Sequence, residues 1–418
     1  MPHPAQNRRH ISSGFTIASI ASIALASGVA MGDSDFAVTA LHPSAATNTS
    51  QVWDGADQSQ IGFATFPDGW RALVWNGTQD DYIDLHPTSA PFVASWAWGA
   101  SADQQVGVVR ETNDVNTDRA ALWSGTADSF VNLHPPAALW SVALRVENGQ
   151  QIGYGTFSGV SHALLWSSTL ESMVDLHPAG MFGSWARGLD ANEQVGWVIT
   201  PSFQFHAGIW SGSADSFVDL HPASEGSTWS QVFNTNGGQQ VGFAKFGQDH
   251  FAALWTGSAE SYINMNPAGG TRSEIFDVSD GYQVGAARFN GSSFDTAALW
   301  TGTPESYIDL HAALDATWTA SAASSVWIDG TTLNIGGWGT NSVSGNREAL
   351  LWTMEIPGAG PCNAADVAEP FGQLNFFDVS EFLALFSAGD SAADLNNDGE
   401  FNFFDISAFL SVFSSGCP

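Results

Sequence analysis

The chain has 418 residues, enough for more than one domain, and it is strongly acidic. Its 11 lysines and arginines face 42 aspartates and glutamates, which gives a formal net charge of −31 at pH 7. Such a charge repels phosphate backbones and anionic lipid, which argues against nucleic acid as a partner and against polybasic membrane docking. The 43 glycines and 18 tryptophans, with only 13% charged residues, indicate tight turns and strands rather than surface helices.

The N-terminal segment, residues 1–32, has the pattern of an export signal. Arg8 and Arg9 form a basic start, residues 11–32 carry no charge, and residues 24–26 and 28–30 offer small-residue cleavage sites. We therefore expect export to an extracellular or cell-surface location and cleavage of this segment. An uncleaved membrane anchor is the alternative.

Residues 33–355 repeat one unit of about 45 residues seven times. Each unit contains four short runs rich in Val, Ile, Phe, Trp and Gly, separated by turn residues, and each run predicts a strand. Seven such units without a helical pattern predict a mainly β fold, a seven-bladed β-propeller. A β-solenoid is the alternative, although its repeats are normally shorter.

The phase of the repeat predicts how the ring closes. Residues 36–43 match only the fourth strand of a unit, whereas the last unit supplies three strands, near 319–327, 332–339 and 348–354. We expect the N-terminal strand to complete the final blade, because this leaves no open sheet edge at the seam.

Residues that recur once per unit are interpreted as structural, and chemistry is sought elsewhere. A Leu-Trp pair or a close variant ends the third run, and its tryptophan is expected to fill space between blades. A second recurring position is His42, His86, His134, His177, His221, Asn266 and His311. One histidine per blade cannot converge on a single metal ion. No nucleophile elbow, phosphate loop or zinc helix motif is found in the sequence, so no catalytic residue is assigned.

Five further tryptophans are the candidate ligand-binding residues. Each follows its histidine position by 6 to 10 residues, at the start of the predicted innermost strand. Indoles there could form a rim that stacks on sugar rings or grips an apolar partner, and wedge packing between blades is the alternative. The five are Trp96, Trp140, Trp185, Trp229 and Trp318.

Residues 356–361 predict a linker, and residues 362–418 predict a separate module. Segments 375–386 and 402–413 resemble each other, and each predicts a short helix with Phe and Leu on one face. The module is bracketed by the two cysteines of the chain, Cys362 and Cys417. Two cysteines in an exported protein usually pair, so we expect a disulfide.

Residues 394–405 match the spacing of a calcium loop. Oxygen-bearing side chains fall at loop positions 1, 3, 5, 9 and 12, glycine stands at position 6, and position 7 offers its carbonyl. Calcium is therefore the expected cofactor. The ligands predicted here are Asp394, Asn396, Asp398, Glu400, Asn402 and Asp405. A degenerate first loop offers Asp366, Glu369, Asn375 and Asp378 for an irregular second site.

Two family resemblances follow from these motifs. Segments such as Gln240-Val-Gly-Phe and His162-Ala-Leu-Leu-Trp over residues 36–355 resemble the HAF family of extracellular repeats. This resemblance implies an extracellular repeat protein and supplies no catalytic residues.

Residues 361–418, with paired loops, Asp at loop position 12 and a terminal Ser-Ser-Gly-Cys-Pro, look like a GC-type dockerin. That resemblance implies a cohesin-like or cell-surface anchoring partner.

The second resemblance has one departure. Loop positions 10 and 11, polar in many dockerins, are phenylalanines here, which we expect to belong to the core, with an apolar docking face as the alternative. They are Phe376, Phe377, Phe403 and Phe404.

The sequence as a whole predicts a secreted, non-catalytic recognition or adhesion protein. Its propeller is expected to bind a polysaccharide glycan or surface ligand, and its tail to anchor it. Two alternatives stay open. A propeller enzyme acting on polysaccharide, a glycoside hydrolase or lyase, would place two carboxylates opposite each other at the channel mouth. A structural surface component would self-associate.

Overall fold

The computed structural model describes residues 32, 35–88, 91–356, 360–368, 371, 374–396 and 398–417. The predicted export signal lies outside the described residues apart from Gly32. The described residues form two compact units, which divide after Ile356. Among them, no helix is long and apolar enough to cross a membrane.

The first unit is a seven-bladed β-propeller, as predicted, with seven antiparallel four-stranded sheets. The innermost strands contact one another in order around the ring, and the last contacts the first. These inner strands are β2 (Ser50–Ala56), β6 (Ala94–Ala100), β10 (Ser141–Glu147), β14 (Gly183–Asp190), β18 (Trp229–Asn236), β22 (Gly270–Ser279) and β26 (Trp318–Asp329).

The other three strands of each blade follow outward from the axis. The second strands are β3 (Ser59–Phe66), β7 (Gln105–Arg110), β11 (Gln150–Phe157), β15 (Glu193–Ile199), β19 (Gln239–Phe246), β23 (Tyr282–Phe289) and β27 (Thr332–Asn341). The third are β4 (Gly69–Trp75), β8 (Asp118–Trp123), β12 (Val160–Trp166), β16 (Phe205–Trp210), β20 (Asp249–Trp255), β24 (Thr296–Trp300) and β28 (Arg347–Glu355). The outermost are β5 (Tyr82–Asp84), β9 (Val131–Asn132), β13 (Val174–Asp175), β17 (Val218–Asp219), β21 (Ile263–Asn264), β25 (Ile308–Asp309) and β1 (Ala37–Ala40).

The N-terminal strand closes the ring, as the repeat phase predicts. Strand β1 pairs antiparallel with β28, with Val38 opposite Trp352, and it is the outermost strand of the last blade. Leu41, just after β1, is fully buried and joins the core between the last and first blades. The final sheet therefore has no unpaired edge at the seam.

Two ends of the propeller are distinguished by their connections. We call upper the end that carries the loops from one blade to the next and the loops between second and third strands. The lower end carries the turns between first and second strands and the loops between third and fourth strands. Each inner strand runs from the upper end to the lower end.

The recurring histidine joins neighbouring blades, in agreement with its structural interpretation. Its Nδ1 lies 2.8–3.0 Å from the Oγ of a buried serine near the start of the next inner strand. That Oγ accepts a hydrogen bond of 2.8–3.1 Å from a third-strand N–H of the preceding blade. Between the fifth and sixth blades Asn266 takes the place of histidine and accepts a hydrogen bond from the Ser273 hydroxyl at 2.7 Å. The seam uses the same arrangement, because Ser50 accepts from the Ala349 N–H at 2.9 Å.

Packing between blades explains the other recurring residues. The tryptophans that end the third strands are all fully buried, as expected for side chains that fill the space between blades. They are Trp75, Trp123, Trp166, Trp210, Trp255, Trp300 and Trp352. The second-strand glycines allow a close approach of backbones. A Cβ at Gly196 would collide with the carbonyl oxygen of Trp185 on the neighbouring inner strand.

The second unit contains two helices, α1 (Phe376–Ala388) and α2 (Phe403–Ser415). Their facing sides bury Phe382 and Phe409, whose rings stack with centroids 4.1 Å apart. The predicted disulfide is confirmed, because Cys362 and Cys417 are bonded with their Cα atoms 5.4 Å apart. In the chain-entropy model, closing a loop of this length stabilises the fold by about 4 kcal/mol.

Candidate functional site

One β-bulge interrupts every inner strand, three residues after the blade-joining serine. A bulge re-aims the side chain of the extra residue. Bulge side chains of neighbouring blades contact each other, as Trp53 contacts Trp98 with centroids 5.0 Å apart, so they line the central channel. The seven bulge residues are Trp53, Trp98, Leu144, Arg187, Phe233, Phe276 and Ser324.

A cluster of charged residues lies on the inner strands, each one residue after a bulge residue. We call it the Arg145 cluster, and it consists of Asp54, Arg145 and Asp277. Arg145 of the third blade is paired with Asp54 of the first blade, at 2.6 Å, and with Asp277 of the sixth. Because these blades lie on different sides of the axis, the guanidinium spans the channel. Asn234 of the fifth blade also donates to Asp277.

Backbone groups complete the Arg145 cluster. Asp54 accepts from the Ala100 N–H at 2.8 Å, and Asp277 accepts from the Val326 N–H at 2.8 Å. Both carboxylates are less than 6% exposed. Burial and the neighbouring Asp277 together raise the pKa of Asp54 to about 6, against the lowering effect of Arg145. The same two carboxylates raise the pKa of Arg145, so it stays charged.

A continuous aromatic surface covers part of the upper side of the channel, and we call it the aromatic arc. Each ring lies within 6.3 Å of the next between centroids, and the side chains are partly exposed. The surface crosses four blades, from the third to the sixth. Its members are Trp140, Tyr154, Trp185, Trp197, Phe233 and Phe276.

Of the five predicted rim tryptophans, Trp140 and Trp185 belong to the aromatic arc. Trp96 is 9% exposed and lies under the Arg110 guanidinium, 4.6 Å from the ring centroid. Trp229 stacks on Phe205 at 4.1 Å. Trp318 packs against the core of the last blade.

These five tryptophans do not share one position. Trp96 and Trp185 follow the blade-joining serine by one residue, Trp140 and Trp229 precede it by one, and Trp318 precedes it by three. The structure therefore brings two of them into one surface and places the other three in separate environments. Aligning the units on the serine would have identified the bulge position.

Positive charge in the propeller is confined to the upper end and the channel. Carboxylates such as Asp57, Asp103 and Asp280 occupy the lower turns, which line a cavity of about 360 Å³. Arg145 and Arg187 lie in the channel. The seven other cations of the described propeller lie within three residues of the upper end of a strand: Arg71, Arg110, Arg119, Lys245, Arg272, Arg288 and Arg347.

The predicted calcium loop has the backbone that its donor set requires. Gly399 has φ +81°, and the carboxylate of Asp394 accepts from the Asp398 and Gly399 N–H groups at 3.1 and 2.9 Å. Asp398 accepts from the Glu400 N–H at 2.8 Å, and the buried Asp405 accepts from the Asn402 N–H at 3.0 Å.

The hard oxygens of this loop fit calcium chemically. Among the described residues, the one group of three or more carboxylate, histidine or cysteine ligand atoms within 4.8 Å of one another is Cys362, Asp366 and Cys417. Its two sulfurs form the disulfide and are not thiolate ligands. Among the described residues 394–405, no three carboxylates lie within that distance of one another.

In the first loop, two of the predicted ligands, Asp366 and Asp378, accept hydrogen bonds from backbone N–H groups. Asp378 is buried and accepts from the Val367 and Ala368 N–H groups at 3.0 Å and from the Asn375 N–H at 2.7 Å. Asp366 accepts from the Cys362 N–H at 2.7 Å. Glu369 lies outside the described residues. Calcium at this loop stays a prediction.

The expectation that the four phenylalanines of the module are core is wrong. Each occupies the first or second position of its helix, directly after the capping residue Asn375 or Asn402. The buried positions of the first turn are taken by the aspartates instead. The exposed fractions are 77% for Phe376, 61% for Phe377, 73% for Phe403 and 67% for Phe404.

No protein family and no curated protein matches this chain. Solved structures match it in fold. A puromycin hydrolase mutant is 10% identical with a TM-score of 0.50, and the match covers 78% of this chain and 55% of that one. The β-propeller domain of the Trilobed protease from Pyrococcus furiosus is 8% identical with a TM-score of 0.49, covering 74% and 95%.

TolB from Acinetobacter baumannii is 9% identical with a TM-score of 0.40, covering 59% of this chain and 61% of that one. This chain thus spans less than two thirds of the length of TolB and of the puromycin hydrolase. At such identities the similarity concerns the propeller fold alone.

Proposed function

We propose that the propeller is a non-catalytic recognition domain that binds a glycan at the upper mouth of its channel. The aromatic arc carries this proposal. Sugar rings present apolar C–H faces that stack on indoles, and a tryptophan can add an N–H donor. Six neighbouring aromatic side chains that stay partly exposed also form the kind of patch that marks a binding surface.

The arrangement of carboxylates supports binding over hydrolysis. A glycosidase needs one carboxyl group as acid and another as base or nucleophile. Asp54 and Asp277, which lie inside the channel, are buried and both paired with Arg145. While Arg145 holds them, neither is available to a substrate at the mouth. The enzyme alternative would therefore have to use other carboxylates, such as those of the lower turns.

Trp185→Ala is expected to weaken polysaccharide binding by roughly 30-fold or more, because truncating a central aromatic hot spot costs about 2 kcal/mol or more. The measurement is calorimetric titration of the full chain against a panel of neutral and acidic polysaccharides, with released sugars assayed in parallel. Trp229→Ala is the matched control, since it removes an indole outside the aromatic arc. Equal losses in both variants would contradict the arc as the site, and sugar release would favour the enzyme.

We propose further that residues 362–418 bind calcium at the second loop and attach the exported protein to an anchoring partner. The disulfide supports export, because disulfides persist in oxidising compartments. The exposed phenylalanines support docking. They occur as two similar pairs, one on each helix, which gives a cohesin-like or cell-surface partner an apolar surface to cover.

Calcium at about 100 times its dissociation constant is expected to stabilise the module by about 2.7 kcal/mol. The readout is thermal loss of far-ultraviolet circular dichroism, because α1 and α2 are the α-helices of the described residues. Asp398→Ala should abolish the shift. Glu381→Gln, which removes an exposed carboxylate of α1 outside the loop, should keep it. An identical melt with calcium and with chelator would contradict the site.

A further inference from the structure

Arg187 is a guanidinium without an acidic partner inside the propeller channel. It is the bulge residue of the fourth inner strand, and its side chain keeps only part of its surface exposed. Its guanidinium carbon lies 5.2 Å from the ring centroid of Phe233 and 6.0 Å from that of Trp197. Among the residues that the structure describes, no oxygen accepts a hydrogen bond from it.

The missing partner is unusual for this chain, in which acidic residues outnumber basic ones almost fourfold. Six of the nine propeller cations pair with a carboxylate: Arg71, Arg110, Arg119, Arg145, Arg272 and Arg288. The other three, Arg187, Lys245 and Arg347, lie over aromatic rings. Arg187 alone of these three lies on an inner strand.

The surroundings of Arg187 explain why it stays unpaired. The nearby channel carboxylates, Asp54 and Asp277, are both held by Arg145. Burial lowers the pKa of Arg187, and the positive charge of Arg145 lowers it further. A guanidinium removed from bulk water without an acceptor is unfavourable, so an anion brought by a ligand would be stabilised there.

Tyr154 provides a second donor on the same aromatic surface. It belongs to the aromatic arc, and its ring centroid lies 6.3 Å from that of Trp185. Burial raises the pKa of Tyr154, so its hydroxyl stays protonated at neutral pH. The location therefore combines a cation, a hydroxyl donor and the stacking faces of Trp185 and Trp197.

We infer that Arg187 binds the anionic substituent, a carboxylate or a sulfate ester, of a saccharide whose ring stacks on the aromatic arc. This inference rests on the proposed glycan-binding function and narrows it to acidic glycans. The charge distribution favours it, because every cation of the described propeller lies at the upper end or in the channel. An acidic glycan approaching the upper end meets these cations, while the lower turns repel it.

The test compares ligands that differ only in charge. Full-length protein is titrated with polygalacturonate and with its fully methyl-esterified form, and with dextran sulfate and dextran. We expect one charged member of these pairs to bind roughly 10- to 100-fold more tightly than its neutral counterpart, which is typical of hydrogen bonds to charged groups. Arg187→Gln should remove that preference, so that the charged form binds no more tightly than its neutral counterpart.

Arg347→Gln is the matched control, because it removes an unpaired cation that also lies over a tryptophan, 3.8 Å from the Trp338 centroid. It should keep most of the preference. Equal binding of charged and neutral ligands would overturn the inference and leave the proposed function intact. An equal loss of the charge preference in Arg187→Gln and Arg347→Gln would do the same. Absence of binding to all four polysaccharides would overturn both. Preference within one pair identifies the substituent as carboxylate or sulfate.

Discussion

Arg145→Met is expected to lower the free energy of unfolding of the propeller by about 3–5 kcal/mol, because it leaves buried carboxylates without their cation. Asp54 and Asp277 lose the ion pairs that join the first, third and sixth blades. Urea unfolding followed by tryptophan fluorescence measures the effect. All 18 tryptophans lie between Trp53 and Trp352, so the signal reports on the propeller alone.

Two variants control for this effect. Arg119→Met breaks the pair with the half-exposed Glu111 and should cost under about 1 kcal/mol, as surface ion pairs do. A triple variant that combines Arg145→Met with Asp54→Asn and Asp277→Asn removes all three charges of the Arg145 cluster together. It should recover most of the loss, because no buried charge is then left without a partner. If Arg145→Met costs no more than Arg119→Met, the cluster does not hold the blades together.

The cost of Arg145→Met should also depend on pH. In the native protein burial already raises the pKa of Asp54 to about 6, and loss of Arg145 raises it further. A carboxyl group with a raised pKa binds more protons in the folded state, so its contribution to stability is lost as pH rises through that range. The deficit should therefore shrink from about pH 8 to about pH 5. A deficit that does not change with pH would contradict this account.

Removal of β1 is expected to have the second large effect, because that strand closes the ring. A chain that begins after His42 loses the pairing with β28 and the buried Phe36 and Leu41. It exposes the edge of β28, a template for association with another chain. We expect no cooperative fluorescence transition, or association through the exposed edge, measured by urea unfolding and by light scattering.

Leu41→Ala tests the seam without removing the strand. Leu41 is fully buried in the core between the last and first blades, so its truncation should cost about 2–5 kcal/mol. Leu139→Ala is the matched control, since Leu139 is 57% exposed. Equal stability of Leu41→Ala and Leu139→Ala would show that packing of Leu41 does not hold the seam together.

The fold could be predicted from the sequence because every blade repeats the same pattern of four strands and their turns. Seven units with four strand-like runs indicated the blades, and the incomplete first and last units indicated that β1 completes the last sheet. The burial of the Leu-Trp tryptophans followed from the same logic. The strand that the repeat phase placed at residues 36–43 is observed at Ala37–Ala40.

The site was less predictable because its residues do not recur. The bulge position is occupied by tryptophan, leucine, arginine, phenylalanine or serine, and nothing in a single unit marks it as facing the channel. The Arg145 cluster joins Arg145 to Asp277, 132 positions away, which sequence spacing cannot reveal. The four phenylalanines expected in the core are exposed instead, and the buried positions of the first helical turn belong to Asp378 and Asp405.

The most direct test of the central claim is amide hydrogen exchange of the full chain with and without a bound polysaccharide from the panel. The account predicts protection at the upper ends of the fourth and fifth blades, within residues 183–187, 195–199 and 229–233, with the lower turns unchanged. Protection confined to the lower turns, or spread equally over all seven blades, would contradict recognition at the aromatic arc.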